Sequence, residues 1–195
     1  MTKINHLKEI VKSNKPFIVY KSEKGFDLYT DFSKKIILTK GNIKNFINKA
    51  TQFKLKKKET DIFIGFFGYE ILNNLIGVKV KKQKGLKFPK GIFYKPETKI
   101  KLQNKLDYKN LELIKSNKPF KININKASYK VIFDKFKKKI KSGETYQIKV
   151  CTKYSNKAKI DALDFFCRLA KTNLAPEAFM IKDKNYSIIS CSPEN

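Results

Sequence analysis

Residues 128–195 read SYKVIFDKFKKKIKSGETYQIKVCTKYSNKAKIDALDFFCRLAKTNLAPEAFMIKDKNYSIISCSPEN, and this stretch decides the fold. Apolar residues recur every three or four positions from Ser128, the predicted N-cap, to Gly143, where the helix should end. Residues 144–154 alternate apolar and polar side chains, which predicts a strand with one buried face. A second helix begins near Asp161, and two strands around a turn at residues 183–185 follow it. This order predicts an α+β protein.

The first half of the chain contains further strand patterns. Residues 16–39 hold three short β-rich runs, with a predicted turn at residues 31–34 between the second and the third, so an antiparallel meander is expected. The apolar run 62–70 contains Gly65 and Gly68. It predicts a central strand whose glycines permit a bend or a close approach of another backbone.

The positive charge is the most prominent feature of the composition. The chain has 195 residues, a formal net charge of +27, and 44 lysines and arginines, of which Arg168 is the only arginine. A basic surface attracts phosphates, but proteins that read phosphate or base edges favour the arginine guanidinium. Lysine rises here together with Asn, Ile, Phe and Tyr, so composition bias explains the charge better. A basic nucleic-acid-binding module stays an alternative, and nucleic acid is the less favoured partner.

Cysteine, histidine and hydropathy patterns limit the classes of site and compartment. Cys151, Cys167 and Cys191 are odd in number and widely spaced, which indicates neither a disulfide framework nor a zinc cluster. The only histidine is His6. No run approaches the roughly 18 apolar residues that a membrane span needs, and the N-terminus lacks the apolar region of a signal peptide. We therefore expect a cytoplasmic protein that does not bind a membrane.

The short sequence motifs at the junctions between the predicted elements resemble those of the chorismate-utilising enzymes. That family has a helix, G-[DE]-x-[FY]-Q-V-x-L, a second helix, N-P-x-P and then G-A-S-P-E. This chain has GETYQIKV at residues 143–150, NLAP at residues 173–176 and SPE at residues 192–194. The run 62–70 is similar to the G-x-x-G-Y-[DE] of the family. The resemblance is to component I of aminodeoxychorismate synthase (para-aminobenzoate synthase) or of anthranilate synthase, and it implies antiparallel β-sheets with helices packed outside.

The resemblance also divides the chain. Residues 1–125 correspond to the N-terminal region of component I, and residues 126–195 to the start of its chorismate-binding domain. Because the chain stops one residue after S-P-E, we expect it to be the front part of component I, truncated before the C-terminal half and inactive alone. A continuation into P-I-K-G-T would indicate the aminodeoxychorismate type, and P-I-A-G-T the anthranilate type.

Several chemical roles are implied by the same resemblance. Chorismate carries two carboxylates and a departing hydroxyl, so its site needs carboxylate donors, a divalent cation and acids. The family binds Mg²⁺ through glutamates C-terminal to S-P-E, so no metal ligand is expected in this chain. Glu194 matches the glutamate of S-P-E, which contributes to acid–base catalysis, although a surface turn explains it equally well. We expect Glu194, the Gln147 strand and residues 173–176 to line one pocket. The implied partners are chorismate and a glutamine amidotransferase subunit, component II.

A tryptophan pocket is the second site of the family, built from L-L-E-S and N-P-S-P-Y-M segments. Its positions in this chain are Ser22, Asn173, Pro176, Glu177 and Met180. Glu177 stands where an aromatic residue borders the ligand, so we expect no feedback inhibition by tryptophan. These departures favour aminodeoxychorismate synthase, which serves folate biosynthesis, over anthranilate synthase, which serves tryptophan biosynthesis.

Overall fold

The structure is a computed structural model, and the residues it describes are 3–22, 24–51, 58–78, 89–102, 106, 108, 119–158, 160–173 and 175–192. The chain forms two compact units, one of Met1–Lys109 with Ala162–Asn195 and one of Asn110–Asp161. The boundary expected at residue 125 concerns the domains of the family and stays a prediction.

The fold is mixed α+β, as the sequence predicts. In chain order the elements are α1 (Lys3–Lys12), β1 (Phe17–Ser22), β2 (Gly25–Ile37), α2 (Ile43–Thr51), β3 (Ile64–Phe67), α3 (Tyr69–Leu75), β4 (Gly91–Lys101), β5 (Lys121–Ile122), α4 (Lys126–Lys141), β6 (Tyr154–Ser155), α5 (Ala162–Thr172), β7 (Ala178–Lys182) and β8 (Ser187–Ser190). The first unit contains a six-stranded sheet of order β3-β4-β2-β1-β7-β8. All neighbouring strands in it are antiparallel.

Strands β1 and β2 form the expected hairpin, but β2 is longer than the sequence suggests. The predicted turn at residues 31–34 is wrong, because the strand continues through it to Ile37. Both halves of β2 pair with β4, and the register shifts between Phe32 and Lys34. Asp31 adopts a φ of 51°, which is uncommon for a residue other than glycine. The turn-forming residues therefore make a β-bulge inside one strand.

Strand β3 lies at the edge of the sheet, so its predicted central position is wrong. The predicted close approach at its glycines is confirmed. A Cβ on Gly65 would lie 1.9 Å from the carbonyl oxygen of Ile92, and a Cβ on Gly68 would lie 2.2 Å from that of Lys90. The chain then enters α3 directly. The strongly apolar composition of β3 reflects its packing against α2 and β4, where Phe46, Phe67 and Phe93 contact each other.

The sheet is buried on both faces around β1. Phe17 and Val19 belong to a core cluster with Phe166 of α5 and Met180 of β7. Ile18, on the opposite face, belongs to a second cluster with Tyr29, Ile92, Tyr94 and Ile181. Successive side chains of a strand point to opposite faces, so β1 contributes to both clusters. Helices α1 and α5 contribute Leu7 and Leu163 to the first cluster alone.

The sheet is curled toward the face of the second cluster. The hydroxyl of Tyr94 on β4 donates a hydrogen bond to Asp183, which directly follows β7. These strands are three positions apart in the strand order, which is about 14 Å across a flat sheet. A tyrosine and an aspartate side chain cannot span that distance over a flat surface. The contact therefore requires a strongly curved sheet.

The second unit contains α4 and the short pair β5–β6. Its helix begins after Asn125, whose side-chain oxygen accepts a hydrogen bond from the backbone N–H of Ser128 at 2.8 Å. The prediction of Ser128 as the N-cap is therefore wrong by one turn. The predicted end at Gly143 is confirmed, since this glycine has a φ of 76° just after the C-cap. None of the residues of α4 is buried.

The strand predicted for residues 144–154 is wrong. In this stretch only Tyr154 is in a strand, the two-residue β6, which pairs with Lys121–Ile122. Alternation of apolar and polar side chains provides a face to bury, but a strand also needs a partner backbone. Among the described residues of this unit, β5 is the partner strand, and it is two residues long.

The elements predicted for the end of the chain are confirmed. Helix α5 begins one residue after Asp161, and β7 and β8 form a hairpin in which the N–H of Asp183 donates to the carbonyl of Tyr186. In the part of the chain that the structure describes, no helix combines the length and the apolar character needed to cross a membrane.

Candidate functional site at the β1–β7 junction

Strand pairing brings the two segments of the expected tryptophan pocket together. β1 runs antiparallel to β7, with Phe17 opposite Lys182 and Lys21 opposite Ala178. Ser22 ends β1 and therefore lies beside the chain that enters β7. Residues from the two ends of the sequence thus form one corner of the sheet.

The chain before β7 is held from both sides. Lys21 on β1 donates a 2.7 Å hydrogen bond to the carbonyl oxygen of the buried Ala175. Asn173 donates its side-chain amide to the carbonyl oxygen of Cys191, just after β8. Because Cys191 precedes the S-P-E segment, Asn173 fastens the start of that segment to the corner.

A carboxylate and a phenol meet at the same corner. Glu177 is exposed, and the phenol of Tyr20 on β1 interacts with its carboxylate. Burial, followed by the interaction with the carboxylate of Glu177, raises the pKa of Tyr20. Glu177 therefore has a defined polar partner at the position where the family places an aromatic residue.

The other predicted site residues differ in their surroundings. Pro176 is exposed, whereas Met180 is fully buried in the core cluster that includes Phe166 of α5. Glu194 lies outside the described residues. Gln147 belongs to the second compact unit. The common pocket expected for Gln147, the corner and Glu194 therefore stays a prediction, as do the roles of the individual site residues.

A buried polar network at the opposite end of β7 is the feature that the sequence did not reveal. Asp183 is 4% exposed. Its carboxylate accepts hydrogen bonds from the hydroxyl of Tyr94, from Lys35 Nζ at 2.6 Å and from the backbone N–H of Lys184 at 2.6 Å. The hydroxyl of Tyr186 lies 3.4 Å from that of Tyr94. Lys35 could not be singled out among so many lysines, and no local pattern signals contacts between such distant residues.

The network keeps Asp183 charged and Tyr94 neutral. Burial alone would raise the pKa of Asp183, but the hydrogen bonds from Lys35, Tyr94 and the backbone of Lys184 outweigh it and lower that pKa. Burial, together with the hydrogen bonds to Asp183 and Tyr186, raises the pKa of Tyr94 well above that of a free phenol. The proton therefore stays on the phenol and the negative charge on the carboxylate.

Within the described ranges, no three His, Cys, Asp or Glu side chains lie close enough together to hold a metal ion. No ligand for the Mg²⁺ that the resemblance implies is therefore assigned to these residues. The Mg²⁺ requirement itself stays a prediction.

Comparison with known families identifies the class of protein. The sequence profile of the chorismate binding enzyme family matches residues 8–195, nearly the whole chain. The chain belongs to this family of chorismate-utilising enzymes. No curated protein matches the sequence.

Proposed function

We propose that the chain is part of component I of an aminodeoxychorismate synthase. This enzyme replaces a hydroxyl group of chorismate by an amino group from ammonia and yields 4-amino-4-deoxychorismate, the precursor of para-aminobenzoate in folate biosynthesis. Membership of the chorismate binding enzyme family supports the substrate. The observation that carries the choice of product is the carboxylate of Glu177 beside the phenol of Tyr20.

The corner at the β1–β7 junction supports this choice in the following way. A pocket for tryptophan needs apolar or aromatic walls, because the indole ring must leave water. Glu177 instead places a carboxylate at that wall, and Lys21 reaches across to Ala175. We therefore expect that tryptophan does not bind at this corner as a feedback inhibitor. Such regulation suits anthranilate synthase, whose pathway ends in tryptophan.

Glu194 is the residue to which we assign acid–base catalysis. The reaction breaks one C–O bond of chorismate and forms one C–N bond, and the hydroxyl leaves as water. A carboxyl group at the ring can give the departing oxygen its proton, and the resulting carboxylate can accept one from the bound nitrogen. Mg²⁺ would supply charge neutralisation of a chorismate carboxylate. The ammonia is proposed to come from a glutamine amidotransferase subunit, component II.

The test is an assay of the protein produced from its natural gene, with chorismate, Mg²⁺ and ammonium. We expect 4-amino-4-deoxychorismate as the product and no inhibition by added tryptophan. Glu194→Gln should reduce turnover at least 100-fold, since general acid–base groups contribute about 10²–10⁴-fold. The matched control Glu177→Gln should retain turnover. Residues 1–195 expressed alone should be inactive.

Other outcomes would reject parts of the proposal. Formation of anthranilate, or strong inhibition by tryptophan, would identify the alternative, anthranilate synthase component I. An unchanged rate in Glu194→Gln would remove this residue from catalysis. The nucleotide sequence after the codon for Asn195 gives an independent check, because P-I-K-G-T there indicates the aminodeoxychorismate type and P-I-A-G-T the anthranilate type.

A further inference from the structure

A pocket of about 720 Å³ lies beside the bulge of β2. Its walls come from the end of α1, the residues before β1, the middle of β2 and one side of β4. Buried or half-buried side chains form the floor: Ile10, Pro16, Thr30, Phe32 and Tyr94. Exposed side chains form the rim: Glu9, Ser13, Lys15, Asp31, Ser33, Lys35 and Glu97. This volume is typical of small-molecule sites.

The strand geometry explains why the pocket is open. β1 pairs with β2 only through residues 25–29 of β2. On its other side, β2 pairs with β4 from Asp27 to Ile37, which is well past the last residue that pairs with β1. The strand therefore extends past β1, and the side that β1 leaves uncovered borders the pocket. The left-handed backbone of Asp31 and the adjacent bulge lie in the same wall. Such irregular backbone costs stability and concentrates at binding sites.

The rim carries charges of both signs that are not all neutralised within the protein. Lys35 Nζ is held by Asp183, yet its side chain is 44% exposed. An ammonium group has three donors, so Lys35 can bind a further acceptor. Among the described residues, Glu9, Asp31 and Glu97 form no ion pair. In a chain with 44 basic and 17 acidic residues, these three carboxylates form a local concentration of negative charge.

We propose that this pocket binds a small zwitterion, an apolar body that carries one carboxylate and one ammonium group. The carboxylate would contact Lys35, which the buried Asp183 fixes in place. The ammonium group would contact Asp31, which already accepts a hydrogen bond from the hydroxyl of Thr30 at 3.1 Å. The apolar body would lie on the half-buried ring of Phe32, which packs against the ring of the buried Tyr94 at a centroid distance of 4.9 Å. This site is independent of the proposed chorismate chemistry.

Calorimetric titration of the full chain with three probes tests the proposal. L-leucine carries both charges, 4-methylpentanoate carries only the carboxylate, and 3-methylbutylamine carries only the ammonium group. We expect L-leucine to bind at least tenfold more tightly than either analogue. Equal affinity for the three probes would overturn the proposal. So would the absence of L-leucine binding at concentrations up to about 10 mM.

Paired variants locate the site. Lys35→Met should weaken L-leucine binding about tenfold, whereas Lys34→Met, an exposed neighbour that does not line the pocket, should not. Because Lys35→Met also removes a partner of Asp183, Asp31→Asn provides a second variant, and asparagine tolerates a positive φ. Asp31→Asn should weaken L-leucine and leave 4-methylpentanoate unchanged. If neither Lys35→Met nor Asp31→Asn changes L-leucine binding, the site is not in this pocket.

Discussion

At the scale of single residues, Asp183 has the most unusual environment. It is a buried carboxylate whose partners come from β2, from β4 and from its own turn. An aspartate after a strand is an ordinary turn residue, and the sequence predicted the turn from it. The contacts with Lys35 and Tyr94 could not be predicted, because they depend on the curvature of the whole sheet.

Removal of one donor to Asp183 should destabilise the first unit. We expect Tyr94→Phe to lower the free energy of unfolding by about 2 kcal/mol, since hydrogen bonds to charged groups contribute about 1.5–3 kcal/mol. Urea denaturation at pH 7 measures the change. Tyr69→Phe is the control, because Tyr69 is 79% exposed. A Tyr94→Phe variant as stable as this control would show that the hydrogen bond contributes nothing.

The charge of Asp183 should also appear in the pH dependence of stability. Its pKa is lower in the folded protein than the ordinary value of 3.8. Its contribution is therefore fully present well above pH 3.8 and is lost as the pH falls through the folded pKa. We expect the stability difference between the protein and Asp183→Asn to be constant from pH 5 to 7 and to shrink below about pH 3.8. Urea denaturation across this range measures the difference, and a constant difference down to pH 2.5 would contradict the assignment.

At the scale of secondary-structure elements, two features show what sequence patterns can and cannot reveal. Gly65 in β3 and Gly68 just after it predicted a close backbone approach, and the carbonyls of Ile92 and Lys90 occupy that space. The pattern of residues 144–153 predicted a strand, but these residues form none. Alternation of apolar and polar side chains is a property of one segment, whereas strand pairing needs a second segment beside it. The resemblance to the family nevertheless depends in part on these same residues.

Gly65 should not accept a side chain. In Gly65→Ala the new Cβ would meet backbone atoms of Ile92 and Phe93 at 1.9 and 2.7 Å, which only a shift of β3 can relieve. We expect a loss of about 1–3 kcal/mol, the usual cost of overpacking. Gly41→Ala is the matched control, since its Cβ would meet nothing closer than 3.9 Å. Thermal unfolding followed by circular dichroism distinguishes them, and similar midpoints would argue against the tight β3–β4 contact.

The start of α4 offers a direct comparison of two caps. Asn125→Ala should destabilise the helix by about 1 kcal/mol, because the side chain that accepts from the N–H of Ser128 is removed. Ser128→Ala should have little effect, since Ser128 contributes its backbone N–H to this hydrogen bond. Hydrogen exchange of the first-turn amides of α4 measures both. The reverse order of effects would restore Ser128 as the N-cap.

At the scale of the whole molecule, the α+β class and most elements of the first unit followed from periodicity. The strand order did not follow, because β1 lies between a neighbour in sequence and a strand from the other end of the chain. The candidate site was predicted only through the resemblance. The resemblance indicated which two segments form the site, around Ser22 and around residues 173–180. The sheet corner at which they meet is set by the β1–β7 pairing.

The charge of +27 supports a prediction for the molecule as a whole. If composition bias explains the lysines, binding to single-stranded DNA should be weak and should disappear by about 0.2 M salt, as expected for nonspecific contacts with phosphates. Fluorescence anisotropy of a labelled oligonucleotide at several salt concentrations measures this. Tight binding that persists at about 0.2 M salt would favour the nucleic-acid-binding alternative.

The distance in sequence between the two halves of the corner affects how the protein is made. Lys21 and Ala175 are 154 positions apart, so a ribosome adding about 5–20 residues per second needs roughly 10–30 seconds between them. During that interval β2 can pair with one edge of β1. The other edge, which pairs with β7 in the folded protein, exposes backbone groups that another nascent chain could bind. We therefore expect the newly synthesised chain to need protection from aggregation until translation has passed β7.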